Sequence, residues 1–463
     1  MDPTQLPPGR QSDRRTPVVV VTGCSGPAAA GVERLAAVLR ATPGTVTIRH
    51  DLSGLSEGIV HRTVHIGEQR TSTVLELAHG CVSCTLRIDL LPLLCALAAR
   101  DSVNRIVLEL DPAFEAETVC QAIENIAVAG VVGRVDGPAG RDVRVEAVLA
   151  GVDARTWLAD ATGEDTLAER GVASVDDDRT VAQVAVGQVD FADAVVVLGN
   201  SGEAIDRARL GAVLSRLVPE APVAWVDDID LLDTTEVEAL LTHIPAHSRR
   251  GRVFDAHAPL LRGQPPLGTE YGVALVEFAA SRPFHPARLH EALDVLFDGV
   301  VTARGRIWLA TQPNEVVWLE SAGGGLRVGG AGPWLAAMSP AELAQADPMR
   351  RAMAALRWDE QFGDRDISLV ILAHDADPGE IRQALHWALV EDDELRLVEC
   401  APERVAQWDD PFGEWHADPC APGEATRLPI DGQATQGRQA RHRGAARTRR
   451  CDLGCACPLR IHR

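Results

Sequence analysis

Residues 16–35 read TPVVVVTGCSGPAAAGVERL: a β-branched run, a turn holding Gly23 and Gly26, and an amphipathic stretch from about Ala28 to Arg40. Four consecutive valines suit a strand buried on both faces. A strand feeding a helix through a glycine turn is the opening unit of a parallel sheet. The alternation continues to about Pro245. TVTIRH, VNRIVLEL, VRVEAVLAGVD, DAVVVLG and APVAWVD are strand-like, and Ile106 to Leu108 and Val195 to Leu198 are apolar throughout. The sequence thus predicts an α/β domain over residues 16–241, built on a mostly parallel sheet. The turn after the first strand is also where backbone N–H groups and a helix dipole can cradle phosphate.

Residues 242–269 are rich in Pro, Gly and His without periodicity and read as a linker. From 270 to 416 the order changes. YGVALVEFAA, a helix from about Pro286 to Phe297, the antiparallel pair GVVTARGRIWLA and NEVVWLESAGGGLRV, then ISLVILAH and a helix from about Pro378 to Leu389 predict an α+β domain of the ferredoxin-like kind. His285 and Trp308 fit a Pro-flanked turn histidine and a core tryptophan. Residues 1–15 and the basic tail 417–463 are expected to be disordered. From Arg438 that tail carries eight arginines against one acid, Asp452. It reads as an arbitrary extension of a GC-rich gene, a basic RNA-contacting arm, or a metal tag built on Cys451, Cys455 and Cys457.

None of the 463 residues is lysine, so all 45 basic side chains are arginine. Schiff-base chemistry and the usual lysine of a nucleotide-binding phosphate loop are excluded, because a planar guanidinium does not replace a compact ammonium. A net charge of −21 argues against general binding to DNA or anionic membranes. No apolar run approaches the ~20 residues that cross a bilayer, and MDPTQLPPGRQSDRR lacks a signal-peptide core. A cytoplasmic location is expected, with the 10 cysteines reduced.

The richest chemical motif is LELAHGCVSCTLRIDLLPLL, residues 75–94. A strand ending near Ala78, a turn at Gly80 and a helix beginning near Cys84 gather His79, Cys81 and Cys84 around one turn. Two thiols three positions apart with an imidazole are half of a tetrahedral zinc site, with S–Zn distances of ~2.3 Å. The remaining ligand would come from Glu76, Cys24 or His50. A redox dithiol and a plain pair of buried cysteines fit the same spacing.

These segments resemble the CobW-like metallochaperone GTPases. GCVSCTLRIDL is similar to the family's GCxCCTLRxDL, with Cys81 and Cys84 at the outer cysteine positions and Ser83 at the middle one. TGCSGPAAAGV is similar to the phosphate loop TGFLGSGKTTL. Thr22, Gly23 and Gly26 match it, while the loop's third glycine, its lysine and its first threonine fall on Ala28, Ala29 and Ala30. Glu109 in IVLELDP resembles the acidic end of the Walker B-like strand. VGQVDFADAVVVLGNSGE resembles the guanine-reading strand, with Asn-Lys-x-Asp lost to LGNS. SRPFHPARLHEAL, the Gly-x-x-Trp strand pair and QFGDRDISLVILAH resemble the CobW C-terminal domain, extending the likeness from Pro17 to about His416.

The resemblance implies a P-loop NTPase-like domain followed by a CobW C-terminal domain. Gly23, Gly26 and Glu109 are its candidate nucleotide residues and Cys81, Cys84 and His79 its candidate zinc ligands. With the lysine and the magnesium-binding hydroxyl missing, little or no GTP hydrolysis is expected. The CVSC form, the eroded loop, SRRGR at Ser248 to Arg252 and DPFGEWHADPC at Asp410 to Cys420 resemble the actinobacterial, ribosome hibernation factor-recruiting branch of the family. That branch implies a protein partner, the hibernation factor, brought to the small ribosomal subunit when zinc is scarce. The other implication is a zinc metallochaperone coupled to GTP binding and hydrolysis.

Overall fold

In the computed structural model the described residues are 13–24, 27–77, 81–112, 114–173, 177–254 and 256–413. The tail 417–463 lies outside them. Of the N-terminal segment only Asp13 to Arg15 are described, and Arg15 Nη1 donates to the Gly140 carbonyl at 3.0 Å.

The first half alternates strands and helices as its periodicity predicts. β1 (Thr16–Thr22), α1 (Pro27–Arg40), β2 (Thr45–Asp51), β3 (Ile59–Ile66) and β4 (Gln69–Glu76) lead into α2 (Val82–Thr85), a π-helical turn (Leu86–Leu90) and α3 (Leu91–Ala98). Next come β5 (Arg105–Glu109), α4 (Ala116–Asn125), the short β6 (Ala127–Val128) and β7 (Gly137–Pro138), β8 (Val143–Asp153), α5 (Trp157–Thr162), α6 (Val181–Phe191), β9 (Ala194–Leu198), α7 (Ala204–Leu217), β10 (Val223–Val226) and α8 (Thr234–His243). The main sheet runs β10-β9-β8-β1-β5-β2-β3-β4. Every pairing from β10 through β2 is parallel, and β3 and β4 add an antiparallel edge.

Alternate side chains of the central strands serve opposite faces, as the period of two requires. Val19 and Val21 pack with Val32, Leu35 and Leu39 of α1 and with α8. Val18 and Val20 pack with Leu91, Leu94 and Val119 of α3 and α4. Val195 and Val197 meet α6 and α7. The β3–β4 hairpin was not legible as a sheet extension, because only Val60 and Val64 of β3 are buried and β4 alternates Thr, Ser and Arg at an exposed edge.

The second half contains β11 (Val273–Ala280), α9 (Pro286–Ala292), β12 (Val300–Ile307), β13 (Glu315–Ala322), β14 (Gly325–Pro333), α10 (Pro340–Gln345), α11 (Pro348–Ala355), β15 (Ile367–His374), α12 (Pro378–Trp387), α13 (Asp392–Cys400) and α14 (Pro402–Val405). Its sheet runs β11-β15-β12-β13-β14, all antiparallel. β15 lies between β11 and β12, which gives the split β-α-β of ferredoxin-like folds, and β13–β14 extend it as a meander. Trp308 is buried in this core, and His285 stacks on Trp408 with ring centroids 4.7 Å apart.

The linker's first two residues, Thr242 and His243, complete α8. Beyond them the backbone is irregular yet anchored. Arg250, at φ 47, donates its N–H to Asp193 Oδ1 at 2.8 Å, and Arg249 lies buried beside Asp190. Asp190 also pairs with Arg304 of β12, joining the two domains. Val273, Leu275, Val301, Ala322 and Leu372 share one apolar cluster with α6 and α7. The β13–β14 turn presses on the first domain. Gly323 has φ +50, and a Cβ there would lie 2.3 Å from the Gly163 carbonyl and 2.7 Å from Ala182 Cβ. Gly323→Ala is expected to cost ~2–3 kcal/mol, from left-handed strain plus overpacking against backbone; urea denaturation measures it, and an unchanged midpoint would contradict this account.

Candidate metal and nucleotide site

Thr22, Glu109, Asp153 and Leu198 end four neighbouring strands, so they share the carboxyl edge of the sheet, where ligands of open α/β sheets bind. The turn after β1 is tight. A Cβ on Gly23 would lie 2.8 Å from Val32 Cγ2 and 3.2 Å from the Gly151 carbonyl, so only glycine lets the chain pass here. Gly26 lies outside the described residues. On the helix side, a Cβ on Gly31 would fall 1.9 Å from Leu198 Cδ1. A leucine methyl therefore stands beside the position following Ala30. Thr22 is fully buried, and its Oγ1 has no hydrogen-bond partner among the described residues.

Glu109 faces an arginine. Its Oε1 accepts from Arg49 Nη1 at 2.8 Å, across the β2–β5 register that sets Arg49 beside Glu109. Burial pushes the Glu109 carboxyl above the usual glutamate range, and Arg49 opposes that shift. The next acid, Asp111, is also engaged, its Oδ2 accepting the Leu52 N–H at 3.1 Å. Ala28, Ala29 and Ala30 stand in the first turn of α1, and the strand-end carboxylate of Glu109 is paired with the Arg49 guanidinium.

The cysteine segment is better ordered for chemistry. Cys81 has an extended backbone and caps α2, its Sγ accepting the Cys84 N–H at 3.3 Å. The helix thus begins at Val82, two residues before the expected start, because the thiol itself serves as N-cap. The positive end of the helix and an N–H directed at sulfur suit a metal-binding thiolate. Cys81 is buried and Cys84 half-buried. The helix then widens into the π-helical turn, which accommodates Pro92, a residue without an N–H, just past it.

That turn carries Asp89, a buried carboxylate with two basic partners. His50 Nε2 lies 2.8 Å from its Oδ2, and Arg62 Nη1 donates to its Oδ1. Arg62 Nη2 also donates to Thr73 Oγ1 at 3.1 Å. Asp89 thereby ties the cysteine helix to His50 of β2 and Arg62 of β3, and Arg62 in turn reaches Thr73 of β4. His50, a candidate further ligand, spends its Nε2 on this contact. Burial pushes the Cys24 thiol up to about 12, and Glu76 is exposed at the end of β4. His79 lies outside the described residues, among which no three His, Cys, Asp or Glu side chains gather as a metal cluster. The donors in place are two thiols in one helical turn, a soft pair that fits zinc. Sequence reasoning passed over Asp89, Arg62 and Arg49. Asp89 had a signal, its place in the motif's flank, but its partners had none.

Residues 55–223 match the CobW/HypB/UreG nucleotide-binding domain, and residues 273–389 match the cobalamin synthesis protein cobW C-terminal domain. A zinc chaperone of Mycobacterium tuberculosis is 47% identical over 407 residues, 88% of this chain and 95% of that one. A zinc-regulated GTPase metalloprotein activator of Dictyostelium discoideum is 25% identical over 344 residues, 71% of this chain and 69% of that one. Among solved structures, the Zn(II)-bound YjiA GTPase of E. coli is 15% identical over 81% of this chain and 99% of its own, with a TM-score of 0.33, too distant a likeness to carry an argument. No described helix is long and apolar enough to cross a membrane.

Arg49→Met is expected to lower stability by about 1–2 kcal/mol at neutral pH, since it strands a buried carboxylate whose partner is only half-buried. The loss shrinks as pH falls toward the ordinary glutamate pKa of about 4.3, where a protonated Glu109 needs no counter-charge. Denaturation at both pH values checks this, and a loss independent of pH would show that Glu109 is not the group involved.

Proposed function

Since the chain belongs to the CobW family, carrying both its nucleotide-binding and its C-terminal domain, we propose that it is a zinc-responsive cytoplasmic protein whose cysteine helix, not a nucleotide, carries the signal. The observation that carries this reading is Asp89. It sits in the helix capped by Cys81, and it holds that helix to His50 and Arg62. Zinc on Cys81 and Cys84, with His79 the nearest further donor in sequence, would favour one position of the helix. Loss of zinc would release it to another, a population shift driven by differential affinity. The output is recruitment of a protein partner. The likeness to the hibernation-factor branch nominates a ribosome hibernation factor on the small ribosomal subunit, active when zinc is scarce. An acidic chain contacts rRNA poorly, so a protein partner suits it better than direct RNA binding.

The test is co-sedimentation of the hibernation factor with small ribosomal subunits, with the chain present, under chelation and under added zinc. Recruitment is expected under chelation alone for the native chain, and under both conditions for Cys81→Ser with Cys84→Ser, which also loses bound zinc by elemental analysis. An identical zinc response in that double variant would rule out the cysteine switch. Asp89→Asn is expected to retain zinc but to weaken the switch and cost about 1–2 kcal/mol of stability, because buried His50 and half-buried Arg62 lose the carboxylate that they contact.

The names of the relatives favour a second reading, a zinc metallochaperone driven by GTP. Calorimetry with GTP and magnesium separates the two. No heat of binding is expected, and Ala29→Lys with Ala30→Thr is expected not to restore it, because Leu198 and Arg49 keep their positions. Tight magnesium-dependent binding by the native chain would favour the metallochaperone.

A further inference from the structure

The main sheet ends on β10 at one side and on β4 at the other. β10 is only four residues long, and all four are half-buried. β4 is eight residues long and pairs with β3 in unbroken antiparallel register, from Ile59↔Glu76 to Ile66↔Gln69. Among the described residues no strand lies against its outer side. Alternate residues of such an edge turn their N–H and C=O groups outward, where only water or another strand satisfies them. Lysine, proline or a bulge commonly blunts an edge of this length, and β4 has none of them. Its middle, Thr71 to Leu75, is uncharged, and Thr71, Thr73 and Val74 are β-branched. Val74 is 58% exposed.

The charges of β4 stand near its two ends, at Arg70 and Glu76. Both side chains are exposed, and neither makes a hydrogen bond or ion pair among the described residues. Thr73 lies midway between them. A second copy laid antiparallel on this edge, about a two-fold axis through Thr73, sets Arg70 of each copy opposite Glu76 of the other. Thr71 then faces Leu75, Ser72 faces Val74, Thr73 faces Thr73, and the two Val74 side chains become diagonal neighbours. Opposite charges and paired threonines are favourable cross-strand combinations. An axis normal to the sheet also keeps each face matched to itself, so the register moves only in steps of two residues. One such step loses both ion pairs.

We infer that the β4 edge docks on β4 of a second copy of this chain, joining two eight-stranded sheets into one across a two-fold axis. The occupant is a second copy because the strand is complementary to itself: its cation and its anion are placed symmetrically about its centre, with no charge between them. The interface is isologous, as a closed dimer requires. Its seam exchanges about six to eight backbone hydrogen bonds. The Arg62 bond to Thr73 Oγ1 survives, since it lies on a sheet face and not along the edge. No cysteine takes part in the seam, so it forms with or without zinc.

The experiment is sedimentation velocity of the intact chain from about 1 to 200 µM, in ~0.15 M salt with a chelator. Salt screens the repulsion between acidic chains, and the chelator prevents a metal from bridging them. A monomer–dimer equilibrium in the micromolar range is expected, as suits a narrow seam. Arg70→Glu and Glu76→Arg each set like charges opposite one another at both ends, and each alone is expected to weaken association about tenfold or more. Arg70→Glu with Glu76→Arg in one chain restores it. Mixing the two singly substituted chains also restores it, because every Glu of one copy then meets an Arg of the other. Thermal unfolding of the variants is expected to match the native chain, since both side chains are exposed. A chain monomeric throughout this range, a dimer indifferent to both single substitutions, or failure of the double variant and the mixture to recover association would each overturn the proposal.

Discussion

A parallel sheet has no face it can leave to water, and the rest of this molecule follows from covering one. β1, β5, β8 and β9 are apolar on both sides, and each side needs helices. α1 and α8 cover one face, while α3, α4, α6 and α7 cover the other. The C-terminal domain then packs on α6 and α7, so its sheet is continuous with the first domain's core. Asp190 and the close approach of Gly323 to Gly163 hold the two together.

The same architecture places the strand ends along one edge. The absent lysine does not stand alone. Leu198 reaches Gly31, Arg49 neutralises Glu109, and Asp111 is spent on a backbone N–H. Along the described part of this edge, a leucine methyl packs beside α1 and an arginine–carboxylate pair joins the ends of β2 and β5. Asp89 ties the cysteine helix to this same end of the sheet, through His50 of β2, next to Arg49, and through Arg62 of β3.

Much of the fold was legible because its signals are local. Valine runs marked the buried strands, glycine marked the turn after β1, and a shift in element order marked the second domain. β4 was read as a strand ending near Ala78, but its partner β3 and helices α10 and α11 were missed, since half-exposed elements bury few residues and so impose little hydrophobic period. The helix start at Val82 was placed two residues late because the cap is a cysteine, outside the usual capping residues.

By itself the sequence determined which chemistries were possible: no amine nucleophile, no ammonium for a phosphate, two thiols three positions apart. Those are properties of composition and of spacing along the chain, and no fold alters them. The tertiary structure alone decided which groups are spent and which remain available. Asp89 meets His50 and Arg62 across 39 and 27 residues, and Glu109 meets Arg49 across 60. Such pairings depend on strand order and register, which set side chains opposite one another in space without leaving any local pattern in the sequence.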